Sequence, residues 1–195
     1  MRIWTGAIAA AIGTVVFVTL QCAVPARQSS DRFANLLEFA RPRAEHALLE
    51  DLVGEFDFEA HFALPGEVET DWRGRTSNRW TIGGRFLRCE ATTRRESLEV
   101  ESLRMIGFDP GSKRFQSSSY DSLSLSHVDA SGTFDRDKRT IAFEVETKDP
   151  ATGQRTRTTE VLRIVDRDHS VREIWGRGSA GEPLQLVRTS YTRTK

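Results

Sequence analysis

The residues best able to do chemistry in this chain are four histidines, two cysteines and a cluster of serines. His46, His61, His127 and His169 share no His-x-His or His-x3-His spacing. A metal site would have to be assembled across strands, and none is expected. His46 reads as packed or hydrogen-bonded on a helix, and His61 and His169 as exposed. His127 lies near the end of a strand, and no cofactor is assigned. Ser122, His127 and Asp121 supply the residue types of a hydrolase triad, yet near neighbours on one strand rarely converge. There is no Gly-x-Ser-x-Gly, no His-Glu-x-x-His and no phosphate-cradling glycine loop. Cys89 lies in Arg88-Cys89-Glu90 with no activating base nearby, so it reads as a small buried side chain. No catalytic residue is assigned.

A binding constellation is more promising: Trp72, Trp80, Arg85, Tyr120, Asp121 and Trp175. On inward strand positions of a barrel, such side chains would converge on one cavity. Arg85 would then meet a ligand carboxylate with its planar fork, or pair with Asp121. The alternative is an aromatic core closed by one buried ion pair. Arg73, Arg75, Arg79, Arg155 and Arg157 fall on the opposite strand phase and read as a solvated face.

The elements that must position these residues follow from composition and period. The chain has 195 residues, 38% hydrophobic and 29% charged, with 11 Phe and 4 Trp, too apolar for disorder and of a length for one domain. Lys plus Arg and Asp plus Glu are 28 each, which argues against a dedicated nucleic-acid partner. Arg2, the uncharged run 3–20 and then Val24-Pro25-Ala26 follow the layout of a secretory signal peptide cleaved after Ala26. The 18-residue run is also just long enough for an uncleaved membrane anchor, and Cys22 is a poor match to a lipid acceptor. Each reading exports the folded part to the periplasm or beyond, with membrane contact only through this segment.

Residues 31–53 read as helix, broken at Arg41-Pro42, with Ala44, Ala47, Leu48 and Leu52 on one face and Gly54 as its end. Residues 27–43 serve as linker and helix start, and 44–195 as a single domain. From Gly54 the period becomes two: Phe56, Phe58, Ala60 and Phe62 alternate with Asp57, Glu59 and His61. Further strands are expected at 71–82, 85–93, 98–108, 113–119, 123–128, 132–135, 140–147, 155–165, 170–175 and 184–192. Gly83-Gly84 reads as a two-residue hairpin with positive φ, and Ala130-Ser131 as a turn. No gap can hold a parallel crossover, so the body is antiparallel and all-β, a sandwich or an up-and-down barrel. One cysteine cannot supply an immunoglobulin-type pair, and sequential hairpins close most simply into a barrel of about 8–10 strands.

Several segments resemble a bacterial family of secreted and cytosolic proteins called domain of unknown function 1579. They are Ala44 through Phe56, the Trp80-Thr81-Ile82-Gly83-Gly84-Arg85-Phe86-Leu87 turn, and Ile106-Gly107-Phe108-Asp109. Tyr120-Asp121-Ser122, Gly132-Thr133-Phe134-Asp135 and Asp149-Pro150-Ala151-Thr152-Gly153 resemble further family features. Phe108 stands where the family usually has Tyr. The resemblance covers roughly residues 44–192. It implies a lipocalin-like β-barrel with a short helix, and no established activity. Function must therefore come from the site. The expectation is an exported barrel holding a small lipophilic or amphipathic ligand. The alternatives are an enzyme using cavity Asp and Arg residues, or a filled barrel serving an interaction or structural role. The sequence leaves the oligomeric state open.

Overall fold

Past Val53 the chain spends its apolar residues on every second position, and each stretch is ended by a turn of Gly, Pro, Asp or Ser. A computed structural model describes residues 26–124, 126–148, 153 and 155–195. The segment 1–25, and all of the 149–153 turn except Gly153, lie outside the described residues. Ten antiparallel strands follow one another: β1 Gly54–Phe62, β2 Thr70–Thr81, β3 Phe86–Arg95, β4 Leu98–Asp109, β5 Arg114–Asp121, β6 Val128–Asp135, β7 Thr140–Lys148, β8 Arg155–Ile164, β9 His169–Arg177 and β10 Pro183–Arg193. Each pairs with its sequence neighbours, and β1 pairs with β10, closing an up-and-down barrel. Closure leaves no sheet edge exposed.

Two helical pieces precede the barrel, where the sequence suggested one interrupted helix. The first, α1, spans Ala26–Phe39, and its Phe33, Leu36, Leu37 and Phe39 are exposed. The second is a 3-10 helix, His46–Leu52, and Pro42 stands before it. A 3-10 turn stacks every third residue, so the buried set is His46, Leu49 and Leu52 in place of the four-residue stripe expected from an α-helix. Gly54 does not end a helix. It opens β1 at φ +130°, where a Cβ would stand 2.1 Å from the Arg193 Nη1.

The register of β1 is as expected. Phe56, Phe58 and Ala60 are buried, and Asp57, Glu59 and His61 face out. Outward arginines pair with outward acids: Arg75 with Asp57 at 2.7 Å, Arg73 with Glu59 at 3.0 Å, and Arg155 and Arg157 both with Glu146. Such exposed pairs contribute little to stability each.

Two local expectations are corrected. The strand expected at 123–128 is not formed as such, since β6 begins only at Val128, and the Ala130-Ser131 turn is absent. Ala130 and Ser131 lie mid-ladder in β6, opposite Ser117 and Gln116 on β5 and Val145 and Glu144 on β7. Small residues that resemble a turn are here the alternating members of a strand. The Gly83-Gly84 connection has the positive φ expected, but it spans four residues, 82–85, between the paired Thr81 and Phe86. Ile82 shares the left-handed conformation at φ +49°.

The 3-10 helix plugs one end of the barrel. Leu49 and Leu52 join Leu87, Ile106, Phe115, Ile141, Phe143, Leu162 and Ile164 in one core. Polar clamps fix the plug: Asn78 Nδ2 donates to the Leu52 carbonyl at 2.8 Å, and Trp80 Nε1 donates to Glu50 at 2.9 Å. Arg193 donates to the Val53 and Asp51 carbonyls at 2.7 and 3.0 Å, with its guanidinium 4.5 Å from the Phe56 ring centre.

Candidate functional site: the open half of the barrel

Cross-strand partners share a face, so the register from Phe56 around the sheet identifies every inward position. Burial along these positions is graded. On β5, Phe115 and Ser117 are buried, Ser119 is half-buried and Asp121 is exposed. On β8, Ile164 and Leu162 are buried, Thr158 is half-buried and Thr156 is exposed. On β3, Leu87 is buried, Cys89, Ala91 and Thr93 are half-buried, and Arg95 is exposed. An inward side chain in the middle of a closed barrel can meet solvent only from within. The half nearest the 3-10 helix is therefore filled with side chains, and the other half is a solvent-reached hollow at the end that bears the 63–69, 96–97 and 178–182 connections. A barrel of about eight strands is just wide enough to hold one small ligand, and ten strands give more width.

A charged layer forms the floor of the hollow. Arg104 stands inward on β4 between Cys89 of β3 and Ser119 of β5. Glu160 stands inward on β8, and Arg172 on β9 beside Leu162 and Thr189. Arg104 Nη2 lies 2.6 Å from Glu160 Oε1. Its Nε donates to Ser117 Oγ at 2.7 Å, and its guanidinium covers the Phe143 ring at 5.0 Å. Arg172 Nε is 3.6 Å from Glu160 Oε2, beyond hydrogen-bond reach, and has no other partner for that N–H. Tyr191, the next inward residue after Thr189 on β10, stands diagonal to Arg172 across the β9–β10 ladder. Two guanidinia thus face one carboxylate.

Burial pushes the Glu160 carboxyl up, but Arg104 and Arg172 outweigh it and hold it below the ordinary carboxylate range. Burial works against the Arg172 charge, and Glu160 and Tyr191 more than restore it. Burial also pushes the Cys89 thiol up to about 11, against the lowering effect of Arg104. Cys89 is therefore a neutral thiol facing the hollow, and not an activated nucleophile.

The six residues singled out from sequence do not meet. Trp72 and Asp121 are inward at the open mouth; Trp72 lies against Phe62 and under Arg95, and Asp121 accepts from the Leu123 N–H. Trp80 and Arg85 are at the plugged end. Arg85 Nε donates to the Ala40 carbonyl at 2.5 Å, and its Nη1 donates to the Ile82 carbonyl at 3.1 Å. The Arg85–Asp121 pair does not form because the two residues stand at opposite ends of the barrel. Tyr120 and Trp175 fall on outward register positions, Tyr120 stacked on His127 outside the barrel. His46 is buried between Trp80 and Phe108, with Nδ1 accepting from the Arg43 N–H at 2.9 Å. Among the described residues no group of His, Cys, Asp and Glu gathers as metal ligands would.

Sequence reasoning missed Arg104, Glu160, Arg172 and Tyr191. Their signal was present: each charged member sits in phase with its strand's inward residues, as in Ser102-x-Arg104-x-Ile106 and Thr158-x-Glu160-x-Leu162. Two shallower depressions lie elsewhere. One, of about 510 Å³ at the plugged end, is lined by Arg43, Leu48, Phe108, Lys113, Phe134 and Arg136 among others. The other, of about 620 Å³, is a groove on the outer face of β1–β5 beside Glu55, Arg75, Glu101 and Tyr120.

Comparison with known proteins agrees with this architecture. Rv2717c from M. tuberculosis superposes with a TM-score of 0.57 at 11% identity, over 80% of this chain and 100% of that one. The S-type phycobiliprotein lyase CPES from Guillardia theta superposes with a TM-score of 0.51 at 10% identity, over 82% of this chain and 97% of that one. At such identities the likeness is one of fold alone. No curated protein matches the sequence at a significant level. Residues 41–193 match the family described as protein of unknown function DUF1579. The chain belongs to that family, with the lipocalin-like ten-stranded barrel described above.

Proposed function

We propose that the protein is an exported binding barrel that holds one small amphipathic ligand in the open half of its lumen. The observation that carries this reading is the graded burial of inward residues, from the filled layer at Leu87, Phe115 and Ile164 to the wetted layer at Cys89, Ser119 and Thr158. A barrel used only as a rigid support would gain stability by filling that space. The walls suit an amphipathic guest: Phe62 and Trp72 offer apolar surface, and the floor offers charge. Export rests on the charged, apolar and small-residue order of residues 1–26. N-terminal sequencing of the exported protein should begin near Arg27, and a soluble product that keeps Met1 would overturn export.

The binding reading is tested with Nile red, a neutral apolar dye, titrated into the full chain. Saturable enhancement of dye emission is expected, at one dye per chain. It should be lost in Ala91→Trp, which fills the wetted layer from β3. Absence of saturable binding, or binding untouched by Ala91→Trp, would overturn the reading.

A further inference from the structure

We infer that the ligand is a monocarboxylate amphiphile whose acid group is bound by Arg172 and Tyr191. This deepens the binding reading above and rests on it. The charge balance of the floor is the starting point. Arg104 is engaged by Glu160, Ser117 and the Phe143 ring. Arg172 shares the same carboxylate at 3.6 Å and keeps 30% of its side chain accessible, although it points inward. That accessible surface can only face the hollow. The layer therefore carries one positive charge more than it balances internally. An unbalanced charge in a partly dry enclosure costs free energy until a counter-ion enters.

The donors select the counter-ion. A guanidinium presents parallel N–H groups in a planar fork that matches two carboxylate oxygens. Tyr191 is the next inward residue after Thr189, the cross-strand partner of Arg172, so its hydroxyl stands on the same wall as that guanidinium and can donate to a ligand held there. Tyr191 is held in place by its ring contact with Phe58, at 5.3 Å between centroids. One surplus charge fits a monoanion, and a phosphate monoester dianion would overcompensate it. Above the floor, Ile174, Val187, Phe62 and Trp72 line the way to the mouth, a course for an alkyl or aromatic tail. An acid head placed at the floor and a tail towards the mouth satisfies both halves of the guest.

The experiment compares octanoate with octanol, the same chain without the charge, by calorimetry and Nile red displacement on the full chain. The expected result is a preference for octanoate of about tenfold or more, the worth of a charge-assisted bidentate pair over a neutral contact. Arg172→Met should abolish that preference while octanol still binds. Tyr191→Phe, which removes only the hydroxyl, should reduce it severalfold and guards against misfolding in the arginine variant. Equal affinity for the two ligands in the wild type would overturn the inference and leave the binding reading standing. So would a preference that survives both substitutions, or tighter binding of octyl phosphate than of octanoate. Failure of Nile red, octanol and octanoate alike would overturn the binding reading itself.

Discussion

Replacing Glu160 with Gln removes the one carboxylate that holds two guanidinia inside the barrel. Glu160 is 8% exposed, and Arg104 lies 2.6 Å from it. Breaking a buried pair by deleting one partner costs about 3–5 kcal/mol, because the surviving charge is stranded. Arg172 is partly wetted from the lumen, which places the expected loss near the low end, about 3 kcal/mol. That is a large share of a total stability of about 5–15 kcal/mol. Urea unfolding followed through Trp72, Trp80 and Trp175 reads it directly. With a slope of about 2 kcal/mol per molar urea, the midpoint should fall by about 1.5 M at neutral pH. The pH dependence supplies a second, independent signature. The folded carboxyl is held below its ordinary value, so its contribution is complete above the ordinary carboxylate range, about pH 4.3, and is lost as pH falls through the folded value. The gap between wild type and Glu160→Gln should therefore be widest at neutral pH and close in acid. A midpoint shift under about 0.5 M, or a gap that does not change with pH, would refute the argument that this carboxylate neutralises the floor.

Phe58→Ala should cost about 3–5 kcal/mol while His61→Ala stays within about 0.5 kcal/mol, measured by the same unfolding curves; equal losses would mean the β1 register is one residue out. Ile82 is 60% exposed and held at φ +49°, so Ile82→Asn should raise stability by about 1 kcal/mol in a thermal melt, and a loss would show that Ile82 packs usefully in the turn. Cys89 has a thiol pushed up to about 11, so its alkylation by iodoacetamide should be slow at neutral pH and accelerate towards pH 11. The raised value also means that any stability the neutral thiol contributes is complete below its unfolded pKa and is lost as pH rises through about 11. Alkylation at neutral pH as fast as in the unfolded chain would contradict its placement.

The strand pattern carried most of the fold because inward and outward residues differ sharply in polarity on β1 and β2. Phe56 and Phe58 against Asp57 and Glu59 leave one register open, and that register propagates around the barrel. The pattern failed where local alternation is not backed by strand partners. In 122–128, Leu123, Leu125 and serines alternate with the period of a strand, yet the ladder begins only at Val128, set by its partners on β5 and β7; in 129–131 the small residues carry no contrast of their own. The 3-10 helix was hidden because spacings of three and four both fit Ala44, Ala47, Leu48 and Leu52; only packing against Leu87 and Ile106 selects Leu49 and Leu52. The site was illegible for a related reason. Arg85 and Asp121 stood out by their motifs, yet strand direction sends them to opposite ends. Arg104, Glu160 and Arg172 lie far apart in sequence, and each looks like a surface charge until its strand phase is fixed.

The central claim is that the open half of the lumen is a ligand site. Amide chemical shifts recorded while octanol is added to the protein test it most directly. Saturable shifts are expected at Cys89, Thr93, Ser119, Thr158, Ile174 and Val187, with Ile141, Phe143 and Phe115 in the filled half unmoved. Shifts confined to the outer groove at Glu55, Arg75 and Tyr120, or to the depression at Arg43, Lys113 and Arg136, would contradict it.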